Sequence, residues 1–249
     1  MSTPWPYPFW IAHRGAGKQA PENTLAAFRA GFAQGFRMFE CDVKLSSDQV
    51  PFLLHDAVLE RTTSGVGTAG DHAWSALSRL DAGAWHGPGF AGETLPTLDA
   101  IARFVLANGC AINLEIKPTP GVEALTGEIV ARAAAALWAG RTPAPLLSSF
   151  DVVALGAAAA AAPSLPRALL LDKLWDGWFE TARALSCGAV VTHHSLMDGA
   201  LARRLHDAGL RALVYTVNTP SDVDAMRAAG VDGVITDEVA RFSPLAQFP

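Results

Sequence analysis

Short apolar runs recur along this chain, and between most of them lie longer stretches in which apolar residues return every three or four positions. The short runs read as β-strands and the long ones as amphipathic helices. Strand candidates are 9–12, 36–43, 51–54, 111–117, 145–149, 167–171, 188–192, 211–217 and 232–236. Helix candidates are 22–34, 97–108, 121–137, 150–162, 174–185, 197–208 and 219–229. The first helix opens at Pro21-Glu22-Asn23-Thr24, where Asn23 or Thr24 suits an N-cap, and closes at Gly35. Leu25, Phe28 and Phe32 then fall on one face. The alanine run 157–162 reads as a helix end stopped by Pro163 rather than as a membrane segment. Strand and helix alternate nearly to the end, the pattern of a parallel sheet built from βα units.

Nine strand candidates are one too many for an eight-stranded (β/α)8 TIM barrel. Only Ser46-Ser47-Asp48-Gln49 separates the second run from the third, and a parallel crossover cannot be made in so few residues. These two runs must form an antiparallel hairpin. A turn centred between Asp48 and Gln49 pairs Asp42 with His55. The remaining eight strands then close the barrel, and one strand overshoots its rim and turns back. Residues 56–95 interrupt the rhythm with Gly, Thr and Trp, which predicts a small insertion subdomain at the C-terminal rim of one catalytic domain covering 1–249. Within it, Gly65-Val66-Gly67-Thr68-Ala69-Gly70 matches a dinucleotide fingerprint by letter only. Nine residues separate it from His55, whereas the fingerprint belongs in the turn directly after a strand, so a plain turn is expected.

Composition narrows the function classes. Half of the 249 residues are hydrophobic, enough for a large core, and the net charge of −5 without any basic run excludes a nucleic-acid surface. Three widely spaced cysteines make neither a disulfide framework nor a zinc site, and Cys41 should face away from its neighbours Glu40 and Asp42 as a buried hydrophobe. The opening residues carry three prolines and no basic residue, and no stretch is apolar enough to span a membrane. No membrane partner and a cytoplasmic location are therefore expected.

Against this background, charge at strand ends stands out. His13 closes the first run, His55 the third, and Glu40, Asp42 and Glu115 lie within the second and fourth. Side chains two apart share a strand face, so Glu40 goes with Asp42 and Glu115 with Lys117. Three carboxylates converging within ~4 Å repel by roughly 4 kcal/mol per pair at an effective dielectric of 20. A divalent cation removes the conflict, and all-oxygen ligation points to Mg²⁺, Ca²⁺ or Mn²⁺. A phosphodiester needs its charge balanced and two protons moved. The metal with Arg14 or Lys117 could do the first, and His13 with His55 the second. His193 and His194 end another strand, where a rim role competes with a substrate contact.

The chain resembles the glycerophosphodiester phosphodiesterase family through His13-Arg14-Gly15, Pro21-Glu22-Asn23-Thr24, Glu40-x-Asp42-Val43, His55-Asp56 and Glu115-Ile116-Lys117. Ser148-Ser149-Phe150, Tyr215-Thr216-Val217-Asn218 and Gly233-Val234-Ile235-Thr236-Asp237 continue the likeness. The resemblance implies a barrel hydrolase that cuts a small-molecule glycerophosphodiester into sn-glycerol 3-phosphate and an alcohol. It implies metal binding by Glu40, Asp42 and Glu115, acid–base roles for His13 and His55, and phosphate binding by Arg14 and Lys117. Tyr215 departs from the Trp common there. The insertion is expected to shape the pocket for the glycerol end and leave the alcohol facing solvent. A phospholipase or lyase on the same barrel, and a non-catalytic glycerophosphodiester-binding protein, are the rival readings.

Overall fold

Period-two alternation along the strands builds two apolar layers, one on each side of the barrel wall. The computed structural model describes residues 5–247; Met1-Ser2-Thr3-Pro4 and Phe248-Pro249 lie outside the described residues. In chain order the regular elements are β1 (Trp10–Ala12), α1 (Leu25–Ala33), β2 (Met38–Leu45), β3 (Pro51–Leu53), α2 (Trp74–Leu77), α3 (Leu98–Ala107), β4 (Ala111–Ile116), α4 (Glu123–Leu137), β5 (Leu146–Ser149), α5 (Val152–Ala161), β6 (Arg167–Leu171), α6 (Trp178–Ala184), β7 (Ala189–His193), α7 (Gly199–Asp207), β8 (Arg211–Tyr215), α8 (Pro220–Ala229) and β9 (Gly233–Thr236). Eight strands are parallel neighbours in the order β1-β9-β8-β7-β6-β5-β4-β2, and β1 pairs with β2 to close the ring. The fold is a (β/α)8 TIM barrel. β3 stands outside the ring, paired antiparallel to the end of β2.

The outer layer, between strands and helices, holds Phe28, Phe39, Cys41, Val43, Ile112, Leu114 and Ile116, so Cys41 faces outward as its position predicts. The lumen holds Ile11, Met38, Ala111, Leu146, Leu170, Val191, Leu213 and Ile235. Among the described residues no helix is long and apolar enough to cross a membrane.

The hairpin register differs by one residue from the expected one. Val43 pairs with Leu53, Lys44 with Phe52 and Leu45 with Pro51, and the Leu54 N–H donates to the Asp42 carbonyl. Asp42 is therefore opposite Leu54, not His55. The reason is the turn. Ser46 closes on Val50 around Ser47-Asp48-Gln49, with Gln49 at φ 65°, a three-residue connection with a left-handed residue rather than a symmetric four-residue one. His55 is thus one step beyond the paired strand, free of the sheet and able to turn toward the site.

Helix starts also follow local capping. Thr24 caps α1 by accepting from the Ala27 N–H, and Asp151 caps α5 by accepting from the Ala154 N–H, so α5 begins after Phe150. α6 starts only at Trp178, because Gly177 takes a left-handed conformation that a helix interior excludes. In the 56–95 segment, Leu59, Ala69, Leu77, Ala82 and Leu95 pack with Phe52 and Leu54 into a small core of their own. The glycine stretch is a turn there: Val58 bridges Thr68, and Gly67 has φ 92°.

Candidate active site

Along β2 the luminal side chains change character with height. Met38 belongs to the apolar floor, and Glu40 and Asp42 follow, 2% and 1% exposed. On β4 the same positions read Ala111, Asn113 and Glu115, with Lys117 just past the strand. The parallel register puts Asp42 beside Glu115 and Glu40 beside Asn113. Carboxylate oxygens of Glu40, Asp42 and Glu115 lie within 4.8 Å of one another, so these three side chains could hold a metal ion.

Cations flank the cluster. The Lys117 Nζ donates to Glu115 Oε1 at 2.8 Å and lies 3.4 Å from Asp42 Oδ1. Arg14, at φ 50°, gives its backbone N–H to Glu40 Oε2 at 3.1 Å and holds its Nε 3.2 Å from Asp42 Oδ2. Asn23, also left-handed at φ 59°, donates its amide to Asp42 Oδ2 and accepts the Asp42 N–H. Burial alone would raise the Asp42 pKa, but Arg14 and Lys117 more than offset it and hold this carboxyl well below the usual range. Glu40 goes the other way: burial, then the Asp42 charge, pushes it up to about 8. Burial and Asp42 raise Glu115 as well. Glu40 Oε1 and both amide atoms of Asn113 are buried without a hydrogen-bond partner. Such orphans are costly unless a ligand meets them.

The two histidines converge from opposite sides. His13 Nδ1 lies 2.6 Å from Asp237 Oδ1, and its Nε2 lies 3.8 Å from Glu40 Oε2. Asp237 is steadied by the Asn218 amide, which donates to its other oxygen at 2.9 Å. His55 Nδ1 lies 2.6 Å from Asp56 Oδ1. Burial would lower the His13 pKa, but the Asp237 hydrogen bond and the Glu40 charge raise it; for His55 burial prevails and lowers it. Arg61 grips both Asp56 oxygens and both Glu22 oxygens, and Glu22 in turn accepts from Arg14. The structure thus brings together His13, Arg14, Glu40, Asp42, His55, Glu115 and Lys117. It adds Glu22, Asn23, Asp56 and Asp237, which lie in the motifs quoted above but were given no role there, and Arg61 and Asn113, which carry no signal of their own in one sequence.

A cavity of about 190 Å³ opens onto this constellation, with Phe150, Leu170, Tyr215 and Ile235 as its apolar wall and Asn113 and Glu40 on its polar side. No residue of 56–95 lines it. His193 sits at the rim against Ser195 and Tyr215 and is not among its lining residues. A second cavity of about 450 Å³ adjoins His13 and Arg14 beneath Trp85 and His86.

The model of the glycerophosphoryl diester phosphodiesterase family matches residues 13–241, the span from the first histidine to beyond Asp237. The chain belongs to this family. A glycerophosphodiester phosphodiesterase of Caldanaerobacter subterraneus subsp. tengcongensis is 31% identical over 233 residues, 92% of this chain and 93% of its own length. Among solved structures, an Oleispira antarctica phosphodiesterase in complex with the product sn-glycerol-3-phosphate superposes with a TM-score of 0.91 at 33% identity, covering 97% of this chain and 98% of that one. A glycerophosphodiester phosphodiesterase from Agrobacterium tumefaciens matches with a TM-score of 0.78 at 26% identity, over 94% of this chain and 98% of that one.

Proposed function

We propose that this protein hydrolyses glycerophosphodiesters to sn-glycerol 3-phosphate and an alcohol, with a divalent cation held by Glu40, Asp42 and Glu115. The observation that carries the reading is the meeting of three carboxylates within 4.8 Å with two histidines, each braced by its own carboxylate. The donor set fits Mg²⁺, Ca²⁺ or Mn²⁺. It is all oxygen, it is buried, and Glu40 keeps one oxygen without a partner. Bound there, the cation would neutralise the carboxylates and polarise the phosphoryl oxygens.

The chain's own residues supply the rest. Arg14 and Lys117 offset the charge of the phosphate and orient it. His13, whose proton is favoured by Asp237, gives a proton to the departing alcohol oxygen as the P–O bond breaks. His55, favoured in its neutral form, takes the proton of the attacking oxygen as the new P–O bond forms, so that water is added across the diester in balance. Phe150, Tyr215, Leu170 and Ile235 receive the carbons of the glycerol half. The insertion 56–95 acts as a subdomain on the same catalytic domain and contributes no acid–base pair.

The test is release of glycerol 3-phosphate from glycerophosphocholine, glycerophosphoethanolamine and glycerophosphoglycerol, with bis(p-nitrophenyl) phosphate as a diester lacking glycerol. Chelation should abolish release and Mg²⁺, Ca²⁺ or Mn²⁺ restore it. Equal turnover of bis(p-nitrophenyl) phosphate, or full activity in metal-free protein, would refute the reading. A cyclic phosphate as the end product, seen by phosphorus NMR, would make the reaction a lyase instead.

A further inference from the structure

We infer that the second cavity is the subsite for the alcohol half of the substrate, and that Trp85 of the insertion is the surface on which that alcohol packs. The inference rests on the diesterase reading above and reverses the expectation that the insertion reads glycerol.

Two cavities border the site, and the residues that line both are His13 and Arg14. A phosphodiester has two arms joined at phosphorus. With the phosphate at Arg14, the arms must leave it in different directions, one into each cavity. The inner cavity is about 190 Å³, the share of about six liquid waters. That is room enough for a phosphoglycerol half. Its polar wall belongs to the barrel and does not vary with the insertion. The outer cavity is about 450 Å³ and takes a head group of variable size. His55 lines the inner cavity and is not among the residues of the outer one, whereas His13 borders both. A leaving oxygen directed at the outer cavity therefore departs past His13.

The wall of the outer cavity is specific in what it leaves available. Its charged groups are already engaged: His13 with Asp237, Arg14 with Glu22, and Lys18 with Glu238. His86 is tied through Nε2 to the Lys18 carbonyl at 3.1 Å, which fastens the insertion to the loop after β1. Trp85 donates its indole N–H to the Ala82 carbonyl at 2.9 Å, so the ring is fixed by its edge while 43% of the residue stays exposed. His86 meets it edge-on at 5.5 Å. A held indole with a solvent-facing surface suits the methylene and ammonium groups of an amino alcohol, by apolar contact and by cation–π attraction. The chemical class read here is a head-group alcohol ending in an ammonium.

The experiment compares glycerophosphocholine with glycerophosphomethanol, whose single-carbon alcohol cannot reach Trp85, in the metal-loaded enzyme and in Trp85→Ala and Trp85→Phe. The wild type should prefer the choline diester. In Trp85→Ala the ratio of kcat/KM for the choline diester to that for the methyl diester should fall about tenfold, through KM rather than kcat, and Trp85→Phe should keep most of it. Circular dichroism and thermal melting establish that each variant is folded. An unchanged ratio in folded Trp85→Ala, or an equal loss on both substrates, would overturn the subsite. Failure of the wild type on both diesters would instead overturn the substrate reading, and the subsite with it.

Discussion

Replacing Glu40 by Gln should make the metal-free protein more stable while destroying its response to metal. Glu40 is 2% exposed, and its oxygens lie within 4.8 Å of those of Asp42 and Glu115. Two charges at that separation repel by about 3 to 4 kcal/mol at an effective dielectric of 20. The titration behaviour leads to a similar figure. Burial, then the Asp42 charge, raises Glu40 from 4.5 to about 8 in the folded protein. A group whose folded pKa is raised stabilises the fold fully only below its unfolded pKa, and that stability is lost as pH rises toward the folded value. Between pH 4.5 and 7 the loss is about 3 kcal/mol. Gln mimics the protonated acid at every pH, so Glu40→Gln should recover about 3 kcal/mol at pH 7. In a chain of this size that corresponds to a Tm about 6–12 °C higher in EDTA. The advantage should close as pH falls to about 4.5. With Mg²⁺ or Ca²⁺ at a hundred times its Kd, the wild type should gain about 2.7 kcal/mol and Glu40→Gln little. Differential scanning fluorimetry with and without chelator, from pH 4.5 to 8, reads all of this. A Glu40→Gln variant that melts lower than wild type in EDTA at pH 7 would refute the claim that the empty cluster is electrostatically frustrated.

Three further outcomes are expected. His13→Ala and His55→Ala should each lower kcat by about 10²–10⁴-fold in protein that keeps its circular dichroism, since each is assigned a proton transfer and neither belongs to an apolar core. Asp237→Asn replaces the charged acceptor that raises the His13 pKa with a neutral one, so the alkaline limb of the kcat/KM profile, set by the acid His13, should move to lower pH. An unmoved limb would take the acid role away from His13. Gly127→Ala should cost about 1–3 kcal/mol of stability, because a Cβ there would sit 2.0 Å from the Ala154 carbonyl where α4 crosses α5; kcat should stay at the wild-type value, as both helices lie on the outside of the barrel.

Much of this molecule follows from local rules that one sequence carries. Alternation along β2 and β4 is a property of the extended backbone, so Glu40 and Asp42 had to share one face, Cys41 to take the other, and Glu115 to share a face with Lys117. The brevity of the link after β2 forced a hairpin, and with it the count of eight barrel strands. What needed the folded chain is whatever depends on residues far apart in sequence or on a conformation that several residues share. The hairpin register slipped by one because Gln49 takes a left-handed conformation, a choice made by the whole turn. Asp237 reaches His13 only because β9 pairs with β1 to close the ring, with Thr236 beside Ala12. Asn23 and Thr24 both read as helix caps in sequence; the fold gives that role to Thr24 and turns Asn23 to Asp42. Arg61 and Trp85 look like ordinary insertion residues until the insertion docks over the rim, one on the Glu22–Asp56 pair and the other over the second cavity. Spacing along the chain sets which face a side chain takes; only closure of the barrel and docking of the insertion decide which faces meet.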